Sequence, residues 1–313
     1  MSETPVGTAV PSVSVIIPVY NDAARLRLCL EALERQTYPK DRYEVVVVDN
    51  GSENGEEIAE ACQAVAQARY LHEPKSGSYA ARNKGIACTS SEIVAFTDSD
   101  CVPHRDWLEK GVTHLTEAPE RGLVGGNVIV FFKDATRKTA AELYESAFAF
   151  PQRRRIESSH WSVTANLFTH RHVIDEVGPF NDRLRSGGDA EWGKRVHNAG
   201  YRLVYADDAR IDHPARASLR DLLTKSARVA GGGHSKMLQK NTRYFLRHFV
   251  RSVYYSFRKS LIILVQGAYE VPTTRRFTLS ERVKIAIVLN LVTGARLAEQ
   301  VKLRLTGGQV RRS

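Results

Sequence analysis

Cysteine is scarce in this 313-residue chain. There are four, at positions 29, 62, 88 and 101, and no two stand in a C-x-x-C pair. That scatter excludes a thiolate zinc site or a disulfide framework and fits a reducing cytosol. Long hydrophobic runs are absent too. The longest uncharged stretch of the C-terminal third, Ile285 to Ala295, is about half of the roughly 20 residues a transmembrane helix needs, so no spanning segment is expected. The opening residues, Met1 to Pro11, are small and polar, and no signal peptide is expected there. No internal repeat, low-complexity tract, RNP-like aromatic motif or zinc-finger spacing is visible, which argues against a nucleic-acid-binding module. Acidic residues run short only at one end. From Ala215 onward there are 20 Lys+Arg against 4 Asp+Glu, a net of +16, whereas the first 214 residues carry a net of −6. A near-neutral body with a strongly basic end points to an anionic surface as partner.

What is present is an alternation of strands and helices. Val13 to Pro18 reads as a strand buried on both faces. Leu26, Leu30 and Leu33 then define one helix face, with Asn21 or Asp22 as its cap. Tyr43 to Val48 is a second strand, followed by a helix with Ile58, Cys62 and Val65 inward. Ala68 to Leu71, Ser78 to Ala87 and Glu92 to Thr97 continue as strand, helix and strand. The order predicts an α/β fold with a mostly parallel sheet and ligand loops at the strands' C-terminal ends. Further on, Asp106 to Thr116, Lys138 to Phe150 and Asp189 to Ala199 read as helices, and Leu123 to Phe132 and Tyr201 to Ala206 as strands. Beyond Ser218, Leu246, Val250, Val253, Phe257, Leu261 and Leu264 form an apolar stripe at helical spacing. Arg243, Arg247, Arg251 and Arg258 lie on an adjacent arc. Val283 to Leu305 is a second amphipathic candidate, capped by Ser280.

The strand Glu92 to Thr97 ends at Asp98-Ser99-Asp100. Two carboxylates one residue apart at such an end need neutralising, and a hard divalent cation carrying a phosphate-rich ligand does this. Three other motifs stand at strand ends: Pro18-Val19-Tyr20-Asn21, Asp49-Asn50-Gly51-Ser52 and Asp212-His213. In their order and spacing the first two, with Asp98-Ser99-Asp100 and Gly187-Gly188-Asp189-Ala190-Glu191-Trp192, resemble the family 2 glycosyltransferases of the GT-A fold, over about Ser12 to Arg216.

The resemblance implies a Rossmann-like mixed sheet flanked by helices, and roles for named residues. Asp49 would contact the nucleotide base, with Pro18, Tyr20 and Asn21 lining the same pocket. Arg82 and Asn83 would approach base and pyrophosphate. Asp98, with Ser99, would lie near the ribose or donor sugar. Asp100 would hold Mg²⁺ or Mn²⁺, with His213 as a further ligand. Asp189 aligns with the catalytic base. The family's usual Glu before that Asp is replaced here by Gly188, and Glu191 is the alternative base. Domain expectations follow: a tail at 1–11, a catalytic domain at 12–216, a basic amphipathic helical region at 217–306 and a tail at 307–313.

The chemistry expected of these types is sugar transfer from a nucleoside diphosphate sugar. A divalent ion neutralises the leaving diphosphate and a carboxylate on the opposite face takes the acceptor's hydroxyl proton, which inverts the anomeric centre. The rival reading, a sugar nucleotidyltransferase, calls for a Gly-rich basic loop after the first strand, where this chain has Pro18-Val19-Tyr20-Asn21-Asp22. The arginine arc beside an apolar stripe suits a bilayer interface better than nucleic acid. The expectation is therefore a peripheral enzyme on the cytoplasmic face of a membrane, acting on a lipid-linked or surface glycan. A homodimer through the same stripes is the alternative.

Overall fold

A computed structural model of the chain describes residues 10–232, 242–266 and 277–306. The tails expected at 1–11 and 307–313 lie, apart from Val10 and Pro11, outside the described residues. The chain begins as expected, with β1 (Val13–Val19), α1 (Ala23–Glu34), β2 (Tyr43–Asp49), α2 (Gly55–Gln63), β3 (Ala68–His72), α3 (Ser78–Ala87) and β4 (Ile93–Thr97). The β-branched runs of β1 and β2 are buried on both faces, as parallel strands covered by helices require. The order continues through β5 (Val102–Pro103), α4 (Trp107–Thr116), β6 (Arg121–Phe131), α5 (Ala140–Phe148), α6 (Gln152–Ser159), β7 (Asn166–His170), α7 (Arg171–Val177), α8 (Gly188–Asn198) and β8 (Arg202–Pro214). Three helices follow: α9 (Leu219–Gly232), α10 (Thr242–Gln266) and α11 (Leu279–Leu305).

One eight-stranded sheet runs in the order β3-β2-β1-β4-β7-β6-β8-β5. The first four strands are parallel. β7 is antiparallel to both β4 and β6, and β5 is antiparallel to β8. The 3-2-1-4 order reverses direction between β1 and β4, and this reversal is where open α/β sheets hold ligands. The register makes room there. β1 pairs with β4 only as far as Ile16 opposite Phe96, whereas it stays with β2 to Val19 opposite Asp49.

The mixed sheet is the expected one, but β7, α6 and α7 are additions that sequence periodicity did not indicate. β7 is five residues long and opens on Asn166, a polar residue that is fully buried. Its amide donates to the carbonyls of Asn127 and Ala209 and accepts from Trp107 Nε1, all at 2.9 Å. Hydrogen bonding therefore holds this strand start where hydrophobicity does not mark it. Two expected caps also change. Asp22 stands at the N-cap of α1, but its carboxylate pairs with Arg25 at 2.8 Å and makes no capping bond. The cap of α11 is Thr278, not Ser280, because Glu281 three residues on completes a capping box.

The chain divides into two compact units. The first comprises residues up to Val128, Gln152–Asp182 and Gly188–Asp212. The second comprises Ile129–Pro151, Arg183–Gly187 and His213 onward. In the second, α5, α9, α10 and α11 enclose Leu143, Tyr144, Leu222, Ile263, Ile285, Val288 and Val292. Buried Glu145 on α5 accepts from the Arg216 backbone and guanidinium and from Lys225. Burial alone would raise this carboxyl, but Lys225 and Arg216 override it and hold Glu145 below its ordinary value.

The buried side of α10 carries polar residues beside Phe245 and Ile263, and its exposed side carries a row of apolar ones. Ser256 and Ser260 are buried and bond to Asn290 of α11, while Leu246, Val250, Val253, Phe257 and Leu261 are exposed. Phe257 is 73% exposed and Val265 70%. Arg243, Arg247, Arg251 and Arg258 are exposed on the same helix. No described helix is long and apolar enough to cross a membrane.

Candidate active site

The ends of β1 and β2 are tied together first. Asn21 takes a left-handed backbone (φ 50°), one of the few non-glycine residues to do so. Its N–H donates to Ser52 Oγ at 2.8 Å and its Oδ1 accepts from Glu53 N–H. Asp49, 1% exposed, accepts from Ser52 N–H and from the Tyr70 hydroxyl, each at 3.0 Å, with His72 Nδ1 at 3.6 Å. Asn50 extends the platform by donating to the Glu73 and Lys75 carbonyls and accepting from Gly77 N–H. Pro18 is half-buried beside this platform and Tyr20 is exposed.

The acidic turn follows β4. Asp98 and Asp100 are partly exposed (34% and 19% of the side chain) and Ser99 between them is buried. Asp98 pairs at 2.5 Å with Arg82, which is itself 3% exposed. Asp100 lies 3.8 Å from Arg25 and 4.0 Å from the Cys101 thiol. The chain then enters β5, where Val102 stands opposite Asp212 of β8. His213 is the next residue of that strand and is buried. Its Nδ1 lies 2.8 Å from the Pro214 carbonyl. A carbonyl only accepts, so Nδ1 carries the proton and, in the neutral ring, Nε2 carries the lone pair.

The third carboxylate, Asp189, opens α8, and α3 connects it to the acidic turn. Tyr79 and Arg82 stand one turn apart on α3. The buried Tyr79 hydroxyl accepts from Gly188 N–H at 2.9 Å and from Asp189 N–H at 3.3 Å, and donates to Asp189 Oδ1 at 3.3 Å. Its ring also explains Gly188. A Cβ at that position would lie 2.7 Å from two Tyr79 ring carbons, so the space a glutamate would take is filled. Burial pushes the Tyr79 phenol up to about 12, and Asp189 adds to it. Burial likewise raises Asp189 above the ordinary carboxylate range, against the pull of the Ala190 N–H, Arg82, Arg155 and Tyr79.

Two residues of the expected site have other partners. Glu191 pairs with Arg195, accepting at 2.9 and 3.2 Å, and Arg195 also donates to the Gly178 and Pro179 carbonyls. Asn83 exchanges two hydrogen bonds with the Phe180 backbone. Trp192 is a core residue, fully buried, with its indole N–H on the Gly178 carbonyl. Sequence reasoning missed Tyr79 and Arg155. The only sign of Tyr79 was the missing side chain at Gly188, and nothing distinguished Arg155 from Arg153 and Arg154 beside it.

The family model described as glycosyl transferase family 2 matches residues 14–178. Glycosyltransferase AglE of Haloferax volcanii is 44% identical over 228 residues, 72% of this chain and 74% of that protein. The pre-mycofactocin glycosyltransferase of Mycobacterium tuberculosis is 32% identical over 232 residues, 72% of this chain and 48% of that protein. Among solved structures, mannosyltransferase PcManGT from Pyrobaculum calidifontis, in complex with GDP-Man and Mn²⁺, matches 97% of this chain and 77% of its own, with TM-score 0.57 and 21% identity. That likeness places the sheet and its helices in the GT-A fold. On the family match and these relatives, the chain belongs to glycosyl transferase family 2 and is a glycosyltransferase.

Proposed function

We propose that this enzyme moves a sugar from a nucleoside diphosphate sugar to an acceptor hydroxyl with inversion of the anomeric centre, aided by Mg²⁺ or Mn²⁺. One observation carries the reading: α3 touches both carboxylate groups that such a transfer needs, through Arg82 to Asp98 and Tyr79 to Asp189. The donor set fits a hard cation. Asp98 and Asp100 offer partly exposed carboxylate oxygens on one turn, and in neutral His213 the lone pair is on Nε2. Asp100 and His213 would hold the ion, which when bound neutralises charge on the leaving diphosphate.

The chain's own residues do the rest. Asp49, at the platform of Asn21 and Asn50, faces the nucleoside end. Arg82 lies beside Asp98 with a second cationic contribution to the diphosphate. Asp189 takes the acceptor's proton; its raised proton affinity suits a base working nearer neutrality. Glu191, paired with Arg195, has a supporting place in α8.

A second part of the proposal concerns location. The exposed apolar row and arginines of α10 support attachment to the cytoplasmic face of an anionic membrane, and with it a lipid-linked or surface-glycan acceptor. Each basic residue near such a surface is worth about 1 kcal/mol, alongside a shallowly inserted apolar face.

A donor screen that reads released nucleoside diphosphate tests the reaction. Turnover should stop with EDTA and in Asp100→Ala. Asp189→Asn should lose roughly 10²- to 10⁴-fold in turnover with donor binding intact. Normal turnover in EDTA, or release of pyrophosphate in place of nucleoside diphosphate, would sink the reading.

A further inference from the structure

The face of α8 that starts at Asp189 continues through Gly193 and His197, each one helical turn on. His160 and Trp161, just beyond α6, lie against this same stripe. The His160 ring stacks on His197, centroids 3.8 Å apart and planes 7° apart. His160 has a left-handed backbone (φ 55°), so the chain turns sharply off the end of α6. Trp161 then comes down on Gly193, where a Cβ would lie 2.8 Å from both Trp161 Cα and Cβ. Only glycine lets that backbone lie against the helix. The Trp161 N–H donates to the Arg155 carbonyl at 3.3 Å, and the Trp161 ring carries the Arg155 guanidinium 4.9 Å from its centroid. A cation is thereby stacked in place beside the helix face that begins with the proposed base.

We infer that Arg155 is a positioning residue for sugar transfer: clamped on Trp161 against α8, it holds the Asp189 carboxylate ionised and oriented for the acceptor's hydroxyl. This rests on the reading of Asp189 as the base. The groups that act on the Asp189 charge are Tyr79 and Arg82 from α3, the Ala190 N–H from α8 and Arg155 from α6. Arg82 is shared with Asp98, so part of its charge is committed to the acidic turn. Arg155 supplies a second positive charge. Burial lowers the Arg155 guanidinium to about 10, and Asp189 works against that fall. The interaction is therefore reciprocal.

The experiment is the pH dependence of kcat/KM for Arg155→Gln, Arg155→Lys and Trp161→Leu, with nucleoside diphosphate affinity by calorimetry and thermal melting on each. Removing a positive charge makes Asp189 easier to protonate, so Arg155→Gln should lose about tenfold at the acid end of the profile. The loss should shrink as pH rises. Arg155→Lys should stay near wild type, Trp161→Leu should follow Arg155→Gln, and nucleotide affinity should not move. A loss of equal size at every pH, or no loss at acid pH, overturns the role of Arg155. If Arg155→Gln does not fold, an unshifted acid limb in Trp161→Leu does the same. Asp189→Asn separates the two readings. If it is inactive while Arg155→Gln behaves as wild type, the Arg155 role alone fails. If it retains full activity, the base assignment fails.

Discussion

Replacing Gly188 with alanine tests the α3–α8 contact most directly. The new Cβ would sit 2.7 Å from Tyr79 Cε2 and Cζ and 2.9 Å from Cδ2, against an optimal carbon–carbon separation of about 3.5–4.0 Å. The ring has little room to yield. It is buried and stacks on Phe180 at 5.8 Å, with the Arg82 guanidinium 5.9 Å from its centroid. Forcing one methyl into a packed site costs about 1–3 kcal/mol. Displacing the ring also weakens the Gly188 and Asp189 N–H bonds to its hydroxyl, at about 1 kcal/mol each. The expected loss is about 3–5 kcal/mol, and each kcal/mol lowers the melting temperature of a domain this size by roughly 2–4 °C. Turnover should fall as well, because the strand of contacts from Tyr79 to Asp189 is disturbed. Gly188→Glu, which writes in the family's usual residue, should be worse than alanine. In a Tyr79→Leu background the alanine should cost less, since both changes act through one contact. Thermal melts and steady-state rates on wild type, the three single variants and the double variant decide it. Wild-type melting and turnover in Gly188→Ala would refute the packing argument.

Glu145→Gln should destabilise the protein by about 3 kcal/mol, because it leaves Arg216 and Lys225 beside a neutral group; a melting shift under 1 °C would contradict this. The same pairing sets a pH dependence. Glu145 is held below its unfolded value, so its stabilisation is full above that value and is lost as pH falls through the folded one, which acid titration of the melting temperature reads. Tyr79→Phe removes a donor from Asp189, so the acid limb of kcat/KM should move up; an unmoved limb would show that the hydroxyl does not reach the base. Phe257→Glu with Leu261→Glu should abolish co-sedimentation with anionic vesicles, and Arg243, Arg247 and Arg251 changed to Glu should weaken it and its salt sensitivity. Equal binding to neutral and anionic vesicles, with a stable dimer in solution, would favour self-association.

The first half of the fold was legible because burial on both sides leaves β1 and β2 almost wholly apolar, with Ser14, Glu44 and Asp49 as the exceptions, and Leu26, Leu30 and Leu33 repeat on one face. The acidic turn was legible because two carboxylates together are expensive without a partner. β7 was not, since its opening residue is an asparagine whose burial depends on three partners far away in sequence. Tyr79 and Arg155 were hidden for a related reason. A tyrosine and an arginine have no periodic signature, and their importance arises only when α8 is brought alongside. The apolar stripe of α10 was readable, but not its direction. The buried side of α10 holds Phe245 and Ile263 together with Ser256 and Ser260, and the two serines bond to Asn290 on α11.

The single helix α3 has a kinetic consequence. Its two contacts, Arg82 on Asp98 and Tyr79 on Asp189, are one turn apart on one helix, so under the proposed function the donor end of the pocket and the proposed base are mechanically linked. A diphosphate that draws Arg82 toward itself must tug the support of the base at the same time. Such a link favours an ordered sequence, in which the donor enters first and the acceptor binds a site already set. Product nucleoside diphosphate should then inhibit competitively against donor and non-competitively against acceptor. A random-order pattern would mean that the two ends of α3 act independently.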